Sequence, residues 1–416
     1  MSKPKKQMIV NTESLIIGMD IGKYHHMVVA LRPDGIFKKP VKITNDLKGY
    51  RELLGLIAAW KNECTTEKVM VGMESTGHYW EIPARWLIGQ GITVVQVNAA
   101  HTKRAKELED NTPGKTDQKD ARIIAGLIRY GKYFSCMLPE GVYAELRELT
   151  KIRQRLIGEL TEKRNYLRRL LDTVFPEIFI LFKKSDSKTL LHLLTEYPLP
   201  DDVMSAGARK IKTTLQQKYK NLVTKRFDTL WCLARDTVGV SVGHLSYRVA
   251  IRTTVERILS LKDSLTKIEG DLAALLSRIP EAPYILSLKG LGTVSAAIII
   301  GETGGLSRYT HAEELLKLAG LNLYEISSGT HKGKVRISKR GRPLLRQGLF
   351  LLATVMVKKG MPFHEEYSRL RNRGMETIKA LTAISRKVCR LVFALARDKR
   401  FFSQEAPQRM QQKKAA

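Results

Sequence analysis

The sequence predicts an α/β domain followed by a long helical region and a mostly helical C-terminal domain. Three observations carry this reading: short apolar runs separated by turn chemistry between residues 15 and 97, sustained helical periodicity beyond Thr116, and a glycine-punctuated, basic stretch after Pro280. At 416 residues the chain holds two or three typical domains, and a hydrophobic content of 43% is enough for each to build a core. The boundaries read as 1–138 for the α/β domain, 139–279 for the helical region with an insertion at about 177–250, 280–400 for the C-terminal domain, and 401–416 for a basic tail.

Each element follows from its pattern. Leu15–Ile21, Met27–Leu31 and Val41–Thr44 read as strands, with Pro33-Asp34-Gly35 turning the chain between the second and third. Asp46–Trp60 reads as a helix, Val69–Met73 as a strand, Tyr79–Gly89 as a helix and Ile92–Val97 as a strand, an order β-β-β-α-β-α-β. The two later strands are almost wholly apolar, as strands covered on both faces are. Ala121–Ile128 is helical in pattern. A heptad-like series from Leu146 through Leu156, Leu160, Leu167 and Leu171 to Val174 predicts one long coiled-coil-like helix ended by Pro176, and Arg252–Arg278 predicts a second that can pair with it antiparallel. Between Lys151 and Arg169 stand seven Lys/Arg against Glu159 and Glu162, a face that either tracks phosphates or is simply solvated. Leu288-Lys289-Gly290-Leu291-Gly292 leads into the apolar helix Thr293–Ile300, where free backbone N–H groups suit a phosphate and tight helix packing is the alternative. Leu315–Leu321, Leu344–Lys359 and Thr377–Arg397 complete the helices.

Charge narrows the function. With 71 Lys+Arg against 41 Asp+Glu the formal charge is +30, which opposes compaction and is an electrostatic footprint for nucleic acid. The apolar run Leu349–Val357 is about half the roughly 20 residues a membrane span needs, so no membrane partner is expected. Asn11, Thr12 and Glu13 interrupt any signal-peptide core after Lys3, Lys5 and Lys6. Cys64, Cys136, Cys232 and Cys389 are scattered without a Cys-x-x-Cys pair, which points to a reducing, cytoplasmic setting.

Against this basic background four acids occupy strand ends and a helix start. Asp20 ends the first strand and Glu74 a later one, so they emerge at one edge if those strands are parallel neighbours. Asp117 and Asp120, three apart, stack on one face of a helix N-terminus that tolerates negative charge. Converging carboxylates repel one another unless a cation lies between them, and an all-oxygen set suits Mg²⁺ or Mn²⁺ rather than zinc. Taken one at a time each acid can equally be a turn former or a helix cap. Gly18-Met19-Asp20-Ile21-Gly22 also resembles the phosphate loop of the actin-like ATPases, but the second Asp-x-Gly loop and adenosine segment of that class are absent.

Gly18-Met19-Asp20-Ile21-Gly22-Lys23, Met73-Glu74-Ser75-Thr76-Gly77, Lys115-Thr116-Asp117-Gln118-Lys119-Asp120-Ala121, and Ala319-Gly320-Leu321 followed by Ser327-Ser328-Gly329 stand in this order along the chain. Together they resemble the insertion-sequence "one-ten" family of DEDD transposases, which includes the Piv-type DNA invertases, over roughly residues 15–135 and 280–360. The resemblance implies an RNase H-like (RuvC-like) N-terminal domain in which Asp20, Glu74, Asp117 and Asp120 bind Mg²⁺ or Mn²⁺, and a C-terminal transposase domain with Ser328 as nucleophile and Ser327 as its rival. It implies cleavage through a covalent phosphoserine link to DNA, followed by strand exchange and religation, in several members under a structured noncoding bridge RNA that pairs with target and donor DNA. Lys332, Lys334, Arg336, Lys339, Arg340, Arg342 and Arg346 then form a basic segment for nucleic acid. A dimer or tetramer, cytoplasmic and nucleoid-associated in a prokaryote, is the expected setting. A RuvC-like endonuclease using metal-activated water and a non-catalytic nucleic-acid-binding scaffold are the alternatives. The chain departs from the family pattern at Leu323, where many relatives carry proline, and in its longer central region.

Overall fold

The computed structural model describes residues 13–75, 77–110, 116–136, 138–218, 225–325, 333 and 335–403. The chain divides into two compact units, Met1–Leu138 and Pro139–Ala416.

The first unit is built on a six-stranded sheet of β1 (Leu15–Ile21), β2 (His25–Leu31), β3 (Val41–Thr44), β4 (Val69–Glu74), β5 (Thr93–Val97) and β6 (Phe134–Ser135), in the order β3-β2-β1-β4-β5-β6. β1 runs antiparallel to β2 and parallel to β4, β5 continues parallel, and the short β6 closes the edge antiparallel. Four helices, α1 (Leu47–Cys64), α2 (Glu81–Gly89), α3 (Ala99–Asp110) and α4 (Asp117–Arg129), complete a mixed α/β unit consistent with an RNase H-like fold. The strand order expected from sequence is present, with β6 and α3 in addition. Alternation along the strands sorts the core into two layers. Leu15, Ile17 and Met19 of β1 and Val71 and Met73 of β4 pack with Leu53, Ile57 and Trp60 of α1 and Ala84 and Leu87 of α2. Ile16, Val95 and Val97 face the other way, onto Ile124, Ala125 and Ile128 of α4.

The second unit is helical. Its frame is α5 (Gly141–Val174) and, after α6 (Ile178–Leu181), α7 (Lys188–Glu196), α8 (Pro200–Lys218, broken at Gly207) and α9 (Lys225–Arg235), the matching α10 (His244–Leu276). The two long helices lie antiparallel: Arg153 meets Glu269 and Arg257 meets Glu159, each at 2.6 Å. Leu160, Leu167, Leu170 and Leu171 of α5 share a core with Ile251, Val255, Ile258 and Leu261 of α10 and with leucines of α7. The central stretch read as an insertion therefore covers one end of the helix pair with apolar surface. A second core gathers α11 (Ala282–Leu286), α12 (Thr293–Thr303), α13 (Ala312–Leu318), α14 (Pro343–Met356) and α16 (Thr377–Asp398), with α15 (His364–Asn372) against α16 and the two-residue strands β7 (Leu323–Tyr324) and β8 (Arg336–Ile337) forming a hairpin. Gly301 allows α12 to meet α5, since a Cβ there would stand 3.0 Å from the Arg147 amide nitrogen. No helix among the described residues is long and apolar enough to cross a membrane.

Candidate active site

The sheet register brings the strand acids together. Gly18 pairs with Gly72 and Met19 with Met73 across the parallel β1–β4 ladder, so Asp20 and Glu74 are the next residues at the same strand ends. With Met19 and Met73 turned toward α1 and α2, strand alternation puts Asp20 and Glu74 on the opposite face, the face that α4 covers. Two glycines let α4 come down onto that face. A Cβ at Gly18 would collide with the Ala121 carbonyl oxygen and stand 2.7 Å from the Ala125 amide nitrogen, and a Cβ at Gly72 would run into the Ile128 side chain. Gly18 is thus a contact point for α4, which accounts for it without a phosphate loop.

The start of α4 is set by Thr116, whose hydroxyl accepts from the Lys119 amide at 3.3 Å. Such a cap contributes about 1 kcal/mol and places Asp117 and Asp120 in the first turn. Asp117 is exposed and Asp120 buried. The four acids converge electrostatically at Asp20. Burial, and then repulsion from Asp120, Asp117 and Glu74 in that order, push its carboxyl up to about 6, with Lys106 pulling the other way.

Lys106, on α3, is the residue at this site that sequence reasoning missed. Its Nζ lies 2.6 Å from Oδ1 and 2.7 Å from Oδ2 of Asp120, and its hydrogen bond is directed to Oδ2. Oδ1 is buried with an ion-pair partner but no hydrogen-bond donor aligned on it. Nothing in the sequence marks Lys106 among so many lysines; the signal is only that α3 directly precedes α4, against which it packs. Among the described residues no three His, Cys, Asp or Glu stand close enough to grip an ion as they are. The donor set nevertheless fits a hard divalent cation: the atoms on offer are all carboxylate oxygens, their repulsion at Asp20 calls for positive charge, and an ammonium already lies against Asp120.

In the second unit, Ser327, Ser328, Lys332 and Lys334 lie outside the described residues. The stem that carries their segment is described. Leu323 pairs with Ile337 and Tyr324 with Arg336; the Ser338 amide donates to the Asn322 carbonyl and the Lys339 amide to the Gly320 carbonyl, each at 2.9 Å. Gly320 has φ +66°, and a Cβ there would stand 2.9 Å from the Lys339 carbonyl carbon, so the Ala-Gly-Leu triplet is the seat on which this stem rests. Arg346 donates to the Ala319 carbonyl at 2.8 Å, beside the stem, and Arg342 to the Glu302 carbonyl in α12, so both side chains are engaged with backbone. Arg336, Lys339 and Arg340 are exposed on it. On α5, five of the seven basic side chains already meet carboxylates, Lys151, Arg153, Lys163, Arg164 and Arg168, so much of that face is a salt-bridged, solvated surface.

Comparison with known proteins finds two family models, the first of which runs past the boundary between the two units. A family model for the DEDD transposases of IS110, described as "Transposase", matches residues 17–176, and one described as "Transposase IS116/IS110/IS902 family" matches residues 282–368. The chain is 27% identical to the "Insertion element IS116 uncharacterized 44.8 kDa protein" of Streptomyces clavuligerus, covering 96% of this chain and 99% of that protein. It is 25% identical to the "Insertion element IS110 uncharacterized 43.6 kDa protein" of Streptomyces coelicolor, over 94% and 96% of the two. The "Pilin gene-inverting protein" of Moraxella bovis is 23% identical over 86% of this chain and 89% of its own length. Among solved structures, "T. thermophilus RuvC in complex with Holliday junction substrate" matches 29% of this chain and 99% of its own, at 13% identity and a TM-score of 0.22, too distant to add to the sheet topology.

Proposed function

The chain belongs to the IS110/IS116 family of insertion-sequence transposases and is a DNA transposase or recombinase of that general type, and from that premise we propose that it cuts and rejoins DNA through a phosphoserine made by Ser328, with Mg²⁺ or Mn²⁺ held by Asp20, Glu74, Asp117 and Asp120. The observation that supports the metal half is the convergence of Asp120, Asp117 and Glu74 on a half-buried Asp20. A divalent ion there supplies charge neutralisation for the reacting phosphodiester. Asp20 and Glu74 stand on rigid strand ends and Asp117 and Asp120 on a capped helix turn, so the ligand set is held by backbone rather than by loops. Ser328 Oγ attacks phosphorus, its proton passes to the solvent or to a carboxylate, and the departing deoxyribose oxygen leaves protonated. One P–O bond forms as another breaks, so a second deoxyribose hydroxyl reverses the step on a new strand without external energy.

DNA is the substrate; a structured bridge RNA pairing with donor and target, and a dimeric or tetrameric assembly, complete the proposal. The +30 charge supports polyanionic partners, and Arg336, Lys339 and Arg340 are the exposed members of the proposed basic segment among the described residues. Ser328→Ala should eliminate the protein–DNA adduct on denaturing gels while leaving DNA binding intact, whereas Ser327→Ala should retain it. An adduct formed by Ser328→Ala would reject Ser328, and strand cleavage with no adduct in the unsubstituted protein would favour metal-activated water. Sequencing of nucleic acid that copurifies decides the guide: a single defined structured RNA is expected, and a random cellular mixture would remove the RNA from the proposal.

A further inference from the structure

Asp120 places a carboxyl group where water scarcely reaches it. Its side chain is 8% exposed, and the ammonium of Lys106, itself 23% exposed, covers both carboxylate oxygens at 2.6 and 2.7 Å. A buried carboxylate is costly unless a cation is beside it, and here α3 carries that cation to α4 from fourteen residues earlier in the chain. The same two oxygens are those a divalent ion would need, at about 2.1 Å for Mg²⁺. An ammonium at 2.6 Å and an ion at that distance can share them only against direct like-charge repulsion, so each weakens the hold of the other on Asp120.

We propose that Lys106 is a resident counter-ion of the carboxylate cluster, holding Asp120 in place when no divalent cation is bound and competing with that cation for it. The role presupposes the metal reading of Asp20, Glu74, Asp117 and Asp120. Lys106 is a positioning residue: it touches a ligand carboxylate and acts through it. Its consequence is a threshold. A divalent ion must bind against the charge-assisted contact already made to Asp120, which lowers its apparent affinity. Once displaced, the ammonium remains on α3 beside the cluster, tethered by a flexible four-carbon stem.

The test measures Mn²⁺ alone, without DNA, by electron paramagnetic resonance titration of the full chain. Lys106→Met should bind Mn²⁺ roughly ten- to a hundredfold more tightly than the unsubstituted protein, the factor expected when a hydrogen bond to a charged group no longer competes. Lys106→Arg, which retains the cation, and Lys103→Met, which removes an exposed charge from the same helix, should both stay within about threefold of the parent, since screened surface charge acts weakly. Equal or weaker binding by Lys106→Met overturns the role of Lys106. Mn²⁺ binding that is unchanged by Asp20→Asn in every background overturns instead the metal reading beneath it. Amine acetylation read by mass spectrometry gives a second measurement on the unsubstituted protein, independent of how the variants fold. Lys106 should label several-fold faster with Mn²⁺ present while Lys103 does not change; a Lys106 rate indifferent to Mn²⁺ counts against displacement.

Discussion

Asp20 has its ionisation equilibrium shifted most informatively. Its carboxyl is raised from 3.8 to about 6, chiefly by burial and then by the neighbouring acids. The sign follows directly. Above about 6 the carboxylate is charged in both the folded and unfolded chain, and the folded state bears the full cost. Between about 6 and 3.8 the folded chain is already protonated while the unfolded one is not, so the cost falls away as pH drops, and below 3.8 it is gone. Asp20→Asn should therefore raise the metal-free melting temperature at pH 7–8, with the difference narrowing as pH falls toward 4, while abolishing Mg²⁺-dependent strand transfer. A variant that is no more stable at neutral pH would mean that the acids do not repel one another as described. His26 carries the opposite lesson in the same unit: fully buried, with its Nδ1 accepting from the Gly22 amide at 3.3 Å, its basicity is lowered mainly by burial. It is neutral in the folded chain, so stability should decline as pH falls below its ordinary 6.5, where only the unfolded chain takes up the proton.

At the scale of elements, α4 is the part on which the site depends, because it brings two of the four acids to the sheet. Its approach is possible only over Gly18 and Gly72. Gly18→Ala forces a methyl group against backbone atoms of Ala121 and Ala125, which cannot rotate aside as a side chain would. The expected cost is about 1–3 kcal/mol, and because α4 must lift, metal affinity should fall with stability. Thermal unfolding and Mn²⁺ titration of the same sample check both. In the second unit, Leu171 is fully buried in the core shared by α5, α10 and α7. Leu171→Ala should cost about 2–5 kcal/mol by leaving a cavity, yet leave Mn²⁺ binding by the first unit unchanged. Equal loss of both would contradict the description of two units with separate cores. The long helices were legible in sequence because a 3.6-residue apolar repeat persists over many turns. α3 was not, since only Thr102 among its described side chains is buried and the helix shows no apolar stripe. Nor was the β7–β8 hairpin, whose two-residue strands are shorter than any alternation that could reveal them.

For the molecule as a whole, charge is the dominant property. Neutralising about six to ten phosphates would make DNA affinity fall by roughly 10³- to 10⁵-fold between 50 and 200 mM salt, measurable by fluorescence anisotropy. A shallow dependence would mean that few of the 71 Lys and Arg residues meet phosphate. The structure already indicates which are committed elsewhere. Arg346 braces the stem of the hairpin, Arg342 ties the start of α14 to α12, and five basic residues of α5 are paired with acids. Exposed surface pairs contribute little to stability, so the exposed ones of α5, at Lys151, Lys163 and Arg168, can be exchanged for phosphates at small cost, whereas Arg346 cannot be released without loosening the stem. Removing Arg336, Lys339 and Arg340 together should thus reduce the salt slope, while Arg346→Ala should first lower the melting temperature.

The sequence by itself determined the identity of the four acids, the strand and helix order around them, the two long helices and the family to which their motifs belong, because periodicity, turn chemistry and motif spacing are local properties of the chain. Tertiary structure alone decided that β1 and β4 are parallel neighbours, that Gly18 and Gly72 admit α4, that Lys106 lies on Asp120, and that Arg342 and Arg346 are engaged with backbone carbonyls. Those facts depend on which distant segments share a surface. Burial, repulsion and ion pairing act across that surface and leave no trace in the spacing of residues along the chain.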